Sequence, residues 1–220
     1  TLTTLRSLSA EGLRGPTPGP LSVRVAADPQ ADGDTAALRA VDGLTLIEGV
    51  WSDPAVFEPL WQHSRAEFLV LIQAGATLQP GALETMLAAL RATPDAVAAT
   101  PVLVTPDGLL HAAGGLIAAD GTPLAIDRGQ AADTVRGTQV RSVGWGPTQC
   151  LVIRNGGGPA PQIGDFQHPD CRDAALSMQL RGPARRIIHV PTARALCPTP
   201  LHGMNRMQHM AECQKLLTLA

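Results

Sequence analysis

The spacing of apolar residues changes regularly along the first half of the chain. Leu2, Leu5 and Leu8 recur at helical spacing and predict an initial helix that runs to about residue 14. Short apolar or alternating runs then predict strands, each followed by a segment with helical spacing. The predicted strands are LSVRVAAD, LTLIEGV, the buried FLVLI and AVAATPVLV, and the predicted helices between them are DTAALRAV, SDPAVFEPLWQHS and PGALETMLAALRAT. This alternation indicates crossover connections, so we predict an α/β fold with a mainly parallel sheet flanked by helices.

The pattern becomes less regular after Thr105. The following segment is rich in Gly and Asp and predicts loops and hairpins. Strands are predicted at TQVRSVGWGPTQCLVIRN and ARRIIHVPTARAL, and helices at RDAALSMQLRG and NRMQHMAECQKLLTLA. We therefore predict one domain over residues 1–220, with a regular half at 1–105, a less regular half at 106–197 and a C-terminal helix within 198–220.

Composition narrows the classes of protein that the chain can belong to. Hydrophobic residues make up 45% and charged residues 16%, which is typical of a globular domain. A net charge of −2 and 3% aromatic residues give no basis for binding nucleic acid. No apolar run approaches the roughly 20 residues of a membrane span. Without a signal-peptide pattern, a cytoplasmic location is the default expectation, and the Ala-, Arg- and Gly-rich composition favours a bacterial source.

The sequence contains no strong catalytic or metal-binding motif. The four cysteines are dispersed without a CxxC pair, so reduced, buried thiols are expected. His168, Asp170, Cys171 and Asp173 are residue types that bind metals, but they lack regular ligand spacing and a second cluster, so no metal site is predicted there. A G-x-S-x-G elbow and a phosphate-binding G-x-x-x-x-G-K-[ST] loop are also absent from the sequence.

Ligands of parallel sheets bind beyond the carboxyl ends of the strands. Asp28 directly follows the strand VRVAA, and the turn at residues 73–76 directly follows FLVLI. Asp28 fits either a ligand contact or an ordinary turn, because DPQADGD is also favourable turn chemistry.

The order of these segments resembles family-2 glycosyltransferases, which have the A-type nucleotide-sugar-binding fold. VRVAADPQADGDTAALRA is similar to the family's strand, nucleotide-binding acidic turn and helix. FLVLIQAGATLQPGALETMLAALRATPDAVAATPVLV is similar to its central strand, metal-binding turn, helix and next strand. GTPLAIDRGQAADTVRGTQVRSVGWGPTQCLVIRN resembles its acceptor-side insertion. GDFQHPDCRDAALSMQLRGPARRIIHVPTARAL resembles the segment that holds the catalytic base and ends in a Val-Pro-x-Ala strand. The resemblance covers roughly residues 1–197.

The resemblance implies an inverting transfer of sugar from a nucleotide donor to a saccharide or protein acceptor. It assigns residues 1–105 to nucleotide binding and residues 106–197 to the acceptor. By position, Asp28 would hold the nucleotide, Asp173 would be the general base and Trp145 would line the acceptor side. The family often uses Mn²⁺ or Mg²⁺ to offset charge on the leaving pyrophosphate.

Several positions depart from the family's pattern. Gly75 occupies the position of the main metal-binding Asp, so the sequence predicts no metal cofactor. Gln30 replaces a serine, Glu58 an asparagine near the phosphates, and Cys197 a late histidine that often assists the metal. The Glu-Asp-x-Asp motif becomes Arg172-Asp173-Ala174-Ala175. Arg172 either supplies the positive charge of the absent cation or is a solvated residue at the start of a helix.

The family's first helix follows a central strand, whereas residue 1 of this chain already lies in that helix. We therefore expect a strand from the same polypeptide or from another chain to complete the sheet.

Two functional hypotheses follow. One is a metal-independent or weakened transferase that uses Asp28 and Asp173. The other is a non-catalytic descendant that serves as a binding or assembly module of a larger protein, and the combined substitutions favour it.

Overall fold

A computed structural model describes residues 2–10, 22–27, 38, 44–49, 53–135, 137–198 and 206–219. Its helices are α1 (Leu2–Ala10), α2 (Pro54–Gln62), α3 (Ala82–Ala92), α4 (Pro169–Arg181) and α5 (Arg206–Leu217), with a short 3-10 helix at Ala132–Thr134. The strands of the first half are β1 (Val23–Ala27), β2 (Leu44–Glu48), β3 (Phe68–Ile72), β4 (Thr77–Leu78) and β5 (Ala96–Val104). Those of the second half are β6 (Leu110–Ala112), β7 (Gly115–Ile117), β8 (Pro123–Ala125), β9 (Arg141–Val143), β10 (Cys150–Arg154) and β11 (Arg186–Leu196).

The central sheet has seven strands and the path β3-β10-β5-β11-β4, with β6 beside β5 and β9 beside β11. This arrangement confirms the predicted α/β class, but the sheet is mixed rather than mainly parallel. Strands β5 and β11 are parallel neighbours, whereas β10 runs antiparallel to both β3 and β5. The reason is that β10 arrives from the irregular second half and enters between two strands that share one direction.

Core residues lie on both faces of this sheet, as the alternation of β10 illustrates. Its Cys150 and Val152 pack on the face covered by α3, with Met86 and Leu90. The next residues along the strand point to the opposite face, because successive side chains of a strand alternate. There Leu151 and Ile153 pack with residues of α2 and α4, namely Phe57, Trp61, Leu176 and Leu180. The sheet is therefore the middle layer of three.

Strand β3 is an edge of the central sheet among the strands that the structure describes. It pairs with β10 on one side, and β1 and β2 form a separate two-stranded parallel sheet. All residues of β3 are half-buried, so the expectation of a buried strand from its apolar sequence was wrong. An apolar run indicates a strand, but its burial depends on what covers it.

Two further boundaries differ from the predicted ones. Helix α4 begins at Pro169, before the predicted start, because the His168 side chain accepts the Asp170 N–H and caps the helix. The segment expected to be one strand is divided into β9 and β10, since Pro147 cannot donate a ladder hydrogen bond. Helix α2 lies within its predicted segment, and its N-cap is Asp53, whose side chain accepts the Ala55 N–H. None of the helices in the described ranges has the length and apolar character needed to cross a membrane.

Candidate functional site

The turn after β3 lies at the carboxyl end of that strand, where the sequence suggested a ligand site. Its backbone is closed by the Ala76 N–H, which donates to the Gln73 carbonyl at 3.0 Å. The Gln73 N–H donates to the carbonyl of Gln149, just before β10, at 3.1 Å. The turn is thus held both internally and by the neighbouring strand.

Gly75 occupies the centre of this turn in a left-handed conformation, with φ of +88°. Its N–H donates to Oγ1 of Thr4 in α1 at 2.9 Å. A Cβ atom at this position would lie 2.8 Å from Cγ of Pro198, closer than carbon atoms pack. Side-chain space at the position that resembles the family's metal ligand is therefore filled by a proline ring.

Cys197, the second position where the resemblance implies a metal-assisting residue, lies directly after β11 and close to the Gly75 turn. Cys197 is fully buried, and its N–H donates to the Val104 carbonyl at 2.8 Å. Pro198 follows directly and packs against Gly75. The fold thus juxtaposes the turn and the end of β11, as a metal site shared between them would require. In this chain the two positions carry a glycine and a buried thiol.

Asp173 lies in α4 and is fully buried, next to Thr148 in the turn that precedes β10. Its carboxylate accepts the Thr148 hydroxyl at 2.6 Å and the Thr148 N–H at 3.2 Å. Burial raises the pKa of Asp173 to about 7, while the two Thr148 hydrogen bonds act in the opposite direction. The group is therefore a buried carboxyl that titrates near neutral pH.

The charges around the start of α4 form two separate arrangements. Arg172 is half-buried, and its positive charge opposes the rise in the pKa of Asp173 as the smallest of the contributions. Arg128 makes a bidentate ion pair with the largely buried Asp170, at 2.7 and 3.0 Å. Charge compensation by Arg172 stays a prediction.

Trp145, predicted for the acceptor side, is fully buried. Its indole N–H donates to the Leu116 carbonyl at 3.1 Å, and its ring packs against Gly115, where a Cβ would lie 2.0 Å from the ring. Its part in acceptor binding stays a prediction.

The nucleotide side of the predicted site lies mainly outside the described residues. Asp28 and Gln30 both fall in this part of the chain. Glu58, at the position expected near the phosphates, lies in α2 and accepts a hydrogen bond from the Gln162 side chain at 2.8 Å. The carboxylate is therefore tied to the loop before α4.

Sequence reasoning did not find the residues that hydrogen-bond to Gly75 and to Asp173. Thr4 satisfies the backbone of Gly75, and Thr148 binds Asp173. Isolated threonines carry no sequence signal for such roles, because the contacts join segments that are far apart in the chain.

Comparisons with known proteins identify the fold. No protein-family model matches the chain, and no curated protein matches it. Among solved structures, a crystal structure of GalNAc-T7 with UDP, GalNAc and Mn²⁺ is similar, with a TM-score of 0.61 and 11% sequence identity. The likeness covers 98% of this chain but 45% of that one, so the chain spans less than half of the neighbour's length. The chain therefore has a glycosyltransferase-like fold.

Proposed function

We propose that this chain is a degenerate member of the family-2 glycosyltransferases that acts as a non-catalytic binding or assembly module of a larger protein. The observation that carries the proposal is the environment of Gly75. The turn offers a hydrogen atom where the resemblance calls for a carboxylate, and Pro198 fills the adjoining space.

The chemistry of sugar transfer explains why this position matters. Departure of a nucleoside diphosphate leaves negative charge on its pyrophosphate, and a divalent cation is a common means of stabilising that charge. Hard cations such as Mg²⁺ prefer oxygen ligands, and Mn²⁺ also suits carboxylates. Gly75 itself contributes no side-chain oxygen, and Cys197 contributes a buried thiol. The carboxylate of Asp173 is likewise enclosed and bound to Thr148.

A second candidate is a metal-independent transferase with Asp173 as the general base. It is favoured by the pKa of Asp173, which burial raises to about 7, since a base is most effective when its pKa lies near the working pH. In this candidate Asp28 binds the nucleotide, Arg172 stabilises the leaving pyrophosphate, and a saccharide or protein hydroxyl loses its proton to Asp173. Transfer or hydrolysis that survives Asp173→Asn would remove this assignment.

Titration with nucleotide sugars separates the two candidates. For the module, we expect isothermal titration calorimetry with UDP- and GDP-linked sugars to give no saturable heat, with or without Mn²⁺. The physical reason is that Gly75 has no side chain and Cys197 carries a buried thiol, so neither position supplies the carboxylate oxygen that would hold a hard cation against the pyrophosphate.

The matched variant for this titration is Asp28→Ala. Saturable binding of a donor that is weakened tenfold or more by Asp28→Ala would refute the module and support the transferase. Ser64→Ala, in the loop after α2, provides a control that should leave any such binding unchanged.

We further propose that the module pairs with an extended strand along β3, supplied by the same polypeptide or another chain. Among the described strands, β3 bonds with β10 on one side, and its residues are half-buried and apolar. Strand addition to such an edge satisfies main-chain groups and covers apolar side chains.

Hydrogen exchange tests this pairing. In the isolated chain, amides of β3 that face away from β10 should exchange much faster than amides of the central strand β5. In the longer protein or the complex, these same amides should become protected. Equal and strong protection in the isolated chain would show that the edge is already covered and would contradict the proposal.

A further inference from the structure

Three side chains of metal-binding type meet between helices α4 and α5. They are His168, Cys171 and His209, and their potential ligand atoms all lie within 4.8 Å of one another. We refer to them as the His-Cys-His cluster. It shares no residue with the Gly75 turn, so it is a separate site from the one that the family resemblance addresses.

The helices explain why the three residues converge. His168 is the N-cap of α4 and Cys171 lies one turn further, so the two side chains share one face of the helix. His209 comes from the first turn of α5, and its ring stacks on that of His168 with centroids 4.9 Å apart. The sequence did not predict a metal site here, because His209 lies on another helix and contributes no local spacing signal.

The distances are compatible with a tetrahedral metal after small side-chain movements. Bonds of about 2.0–2.3 Å to nitrogen and sulfur place the ligand atoms of a zinc site roughly 3.5 Å apart. The cluster therefore has to contract by on the order of 1 Å, and rotation of the three side chains is the movement expected to bring this about. Two imidazoles and one thiolate are a ligand set that suits Zn²⁺ rather than Mg²⁺ or Ca²⁺.

An unsatisfied polar atom provides an independent indication. Within the described part of the chain, Nε2 of His209 is buried and has no hydrogen-bond partner. Such atoms are uncommon in folded proteins, because burial without a partner is costly. A metal ion at the cluster would give this nitrogen a partner.

The surrounding groups hold the cluster in place and leave it without a net repulsive charge. Glu212, one turn after His209, accepts the backbone N–H groups of Gln167 and His168 at 2.8 and 2.9 Å. These bonds fasten α5 to the start of α4. The nearby positive charge of Arg128 is paired with Asp170 in a bidentate contact.

We propose that His168, Cys171 and His209 bind Zn²⁺ or a similar borderline-soft divalent metal, with a fourth position for water. Binding converts the Cys171 thiol to a thiolate and releases its proton to solvent. The His168 Nδ1 atom accepts the Asp170 N–H at 3.2 Å, so the proton of the neutral ring is on Nε2. Coordination through Nε2 moves that proton to Nδ1 and gives up the cap hydrogen bond. The metal then joins α4 to α5, in addition to the Glu212 hydrogen bonds that already fasten these helices.

Metal binding to the purified chain tests the proposal without any sugar substrate. After removal of metals with a chelator, we expect one equivalent of Zn²⁺ to bind and to raise the melting temperature. Co²⁺, which reports coordination through its absorption, should show a thiolate-to-cobalt charge-transfer band. Cys171→Ser should remove that band, and His209→Gln should weaken the affinity by about 100-fold or more, beyond the 10–100-fold effect of losing a supporting group.

Matched controls distinguish the cluster from general thiol and imidazole binding. Cys150→Ala removes a buried thiol from β10, and His63→Gln removes an exposed imidazole after α2. Both should retain the stoichiometry, affinity and cobalt spectrum of the parent chain. If Cys171→Ser does not fold, His209→Gln, at a partly exposed position, still tests the site. Failure of the parent chain to bind one metal ion, or binding unchanged by His209→Gln, would overturn the proposal.

Discussion

When the pH is raised from 5 to 8, the parent chain is expected to lose about 3 kcal/mol of unfolding free energy that the Asp173→Asn variant does not lose. Burial raises the pKa of Asp173 from 3.8 to about 7, so the folded state binds a proton more tightly than the unfolded state. The stabilising contribution is therefore complete below pH 3.8 and is lost as the pH rises through about 7. The parent chain thus becomes less stable across this window, whereas asparagine, which does not titrate, lacks this contribution.

The geometry makes asparagine a close replacement. Its side-chain oxygen can accept the Thr148 N–H, and its amide can donate to the Thr148 hydroxyl oxygen, in place of the two contacts of the carboxylate. Urea unfolding of both proteins at pH 5 and pH 8 measures the effect. Asp107→Asn, at an exposed turn, is the matched control and should follow the pH profile of the parent chain. A constant difference between Asp173→Asn and the parent chain would show that Asp173 does not titrate in this range.

The result also bears on function. A buried carboxyl that stabilises the fold most when protonated is an ordinary consequence of desolvation. The same ionisation at neutral pH is what a general base requires. Stability measurements on Asp173→Asn therefore establish the titration, and turnover measurements on the same variant decide whether catalysis uses it.

Placing an acidic residue at Gly75, the position where the family resemblance calls for one, is expected to destabilise the protein rather than to create a cation site. Gly75→Asp should cost about 2–4 kcal/mol, of which about 1 kcal/mol reflects a left-handed backbone and 1–3 kcal/mol the collision with Pro198. The backbone at this position has φ of +88°, and the added Cβ would lie 2.8 Å from the proline ring. Mn²⁺ with UDP should leave the melting temperature of this variant unchanged.

Gly108→Asp is the matched control for this prediction. Gly108 has nearly the same backbone, with φ of +82°, but no atom lies within 4 Å of its Cβ position. The Gly108→Asp variant should therefore lose only the part of the unfolding free energy that reflects the left-handed backbone, about 1 kcal/mol. Equal stability losses in the two variants would show that Pro198 does not close the turn. A Mn²⁺-dependent rise in melting temperature for Gly75→Asp would show that the cation site is still accessible.

The elements of this fold follow closely from local sequence. The segment AVAATPVLV predicts β5 residue for residue, and the predicted helix SDPAVFEPLWQHS contains the whole of α2, with Pro54 in its first turn. Local rules succeed here because apolar periodicity and capping depend on residues a few positions apart. The resemblance of segment order to glycosyltransferases likewise agrees with the observed fold.

Spatial neighbours could not be predicted from the same information. The antiparallel entry of β10 between β3 and β5 made the sheet mixed, since pairing is decided by long-range packing. The roles of Thr4, Thr148 and His209 depend on contacts between distant segments.

By itself, the sequence determined the α/β alternation, the extent of β5 and the presence of glycine at position 75, where the family resemblance calls for an acidic residue. Only the tertiary structure decided that Pro198 closes this turn, that Asp173 is enclosed with Thr148, and that two helices bring His168, Cys171 and His209 together. The physical reason is that residue type and local period depend on neighbours along the chain. Burial, the resulting pKa and the convergence of ligands depend instead on which distant segments share the same space.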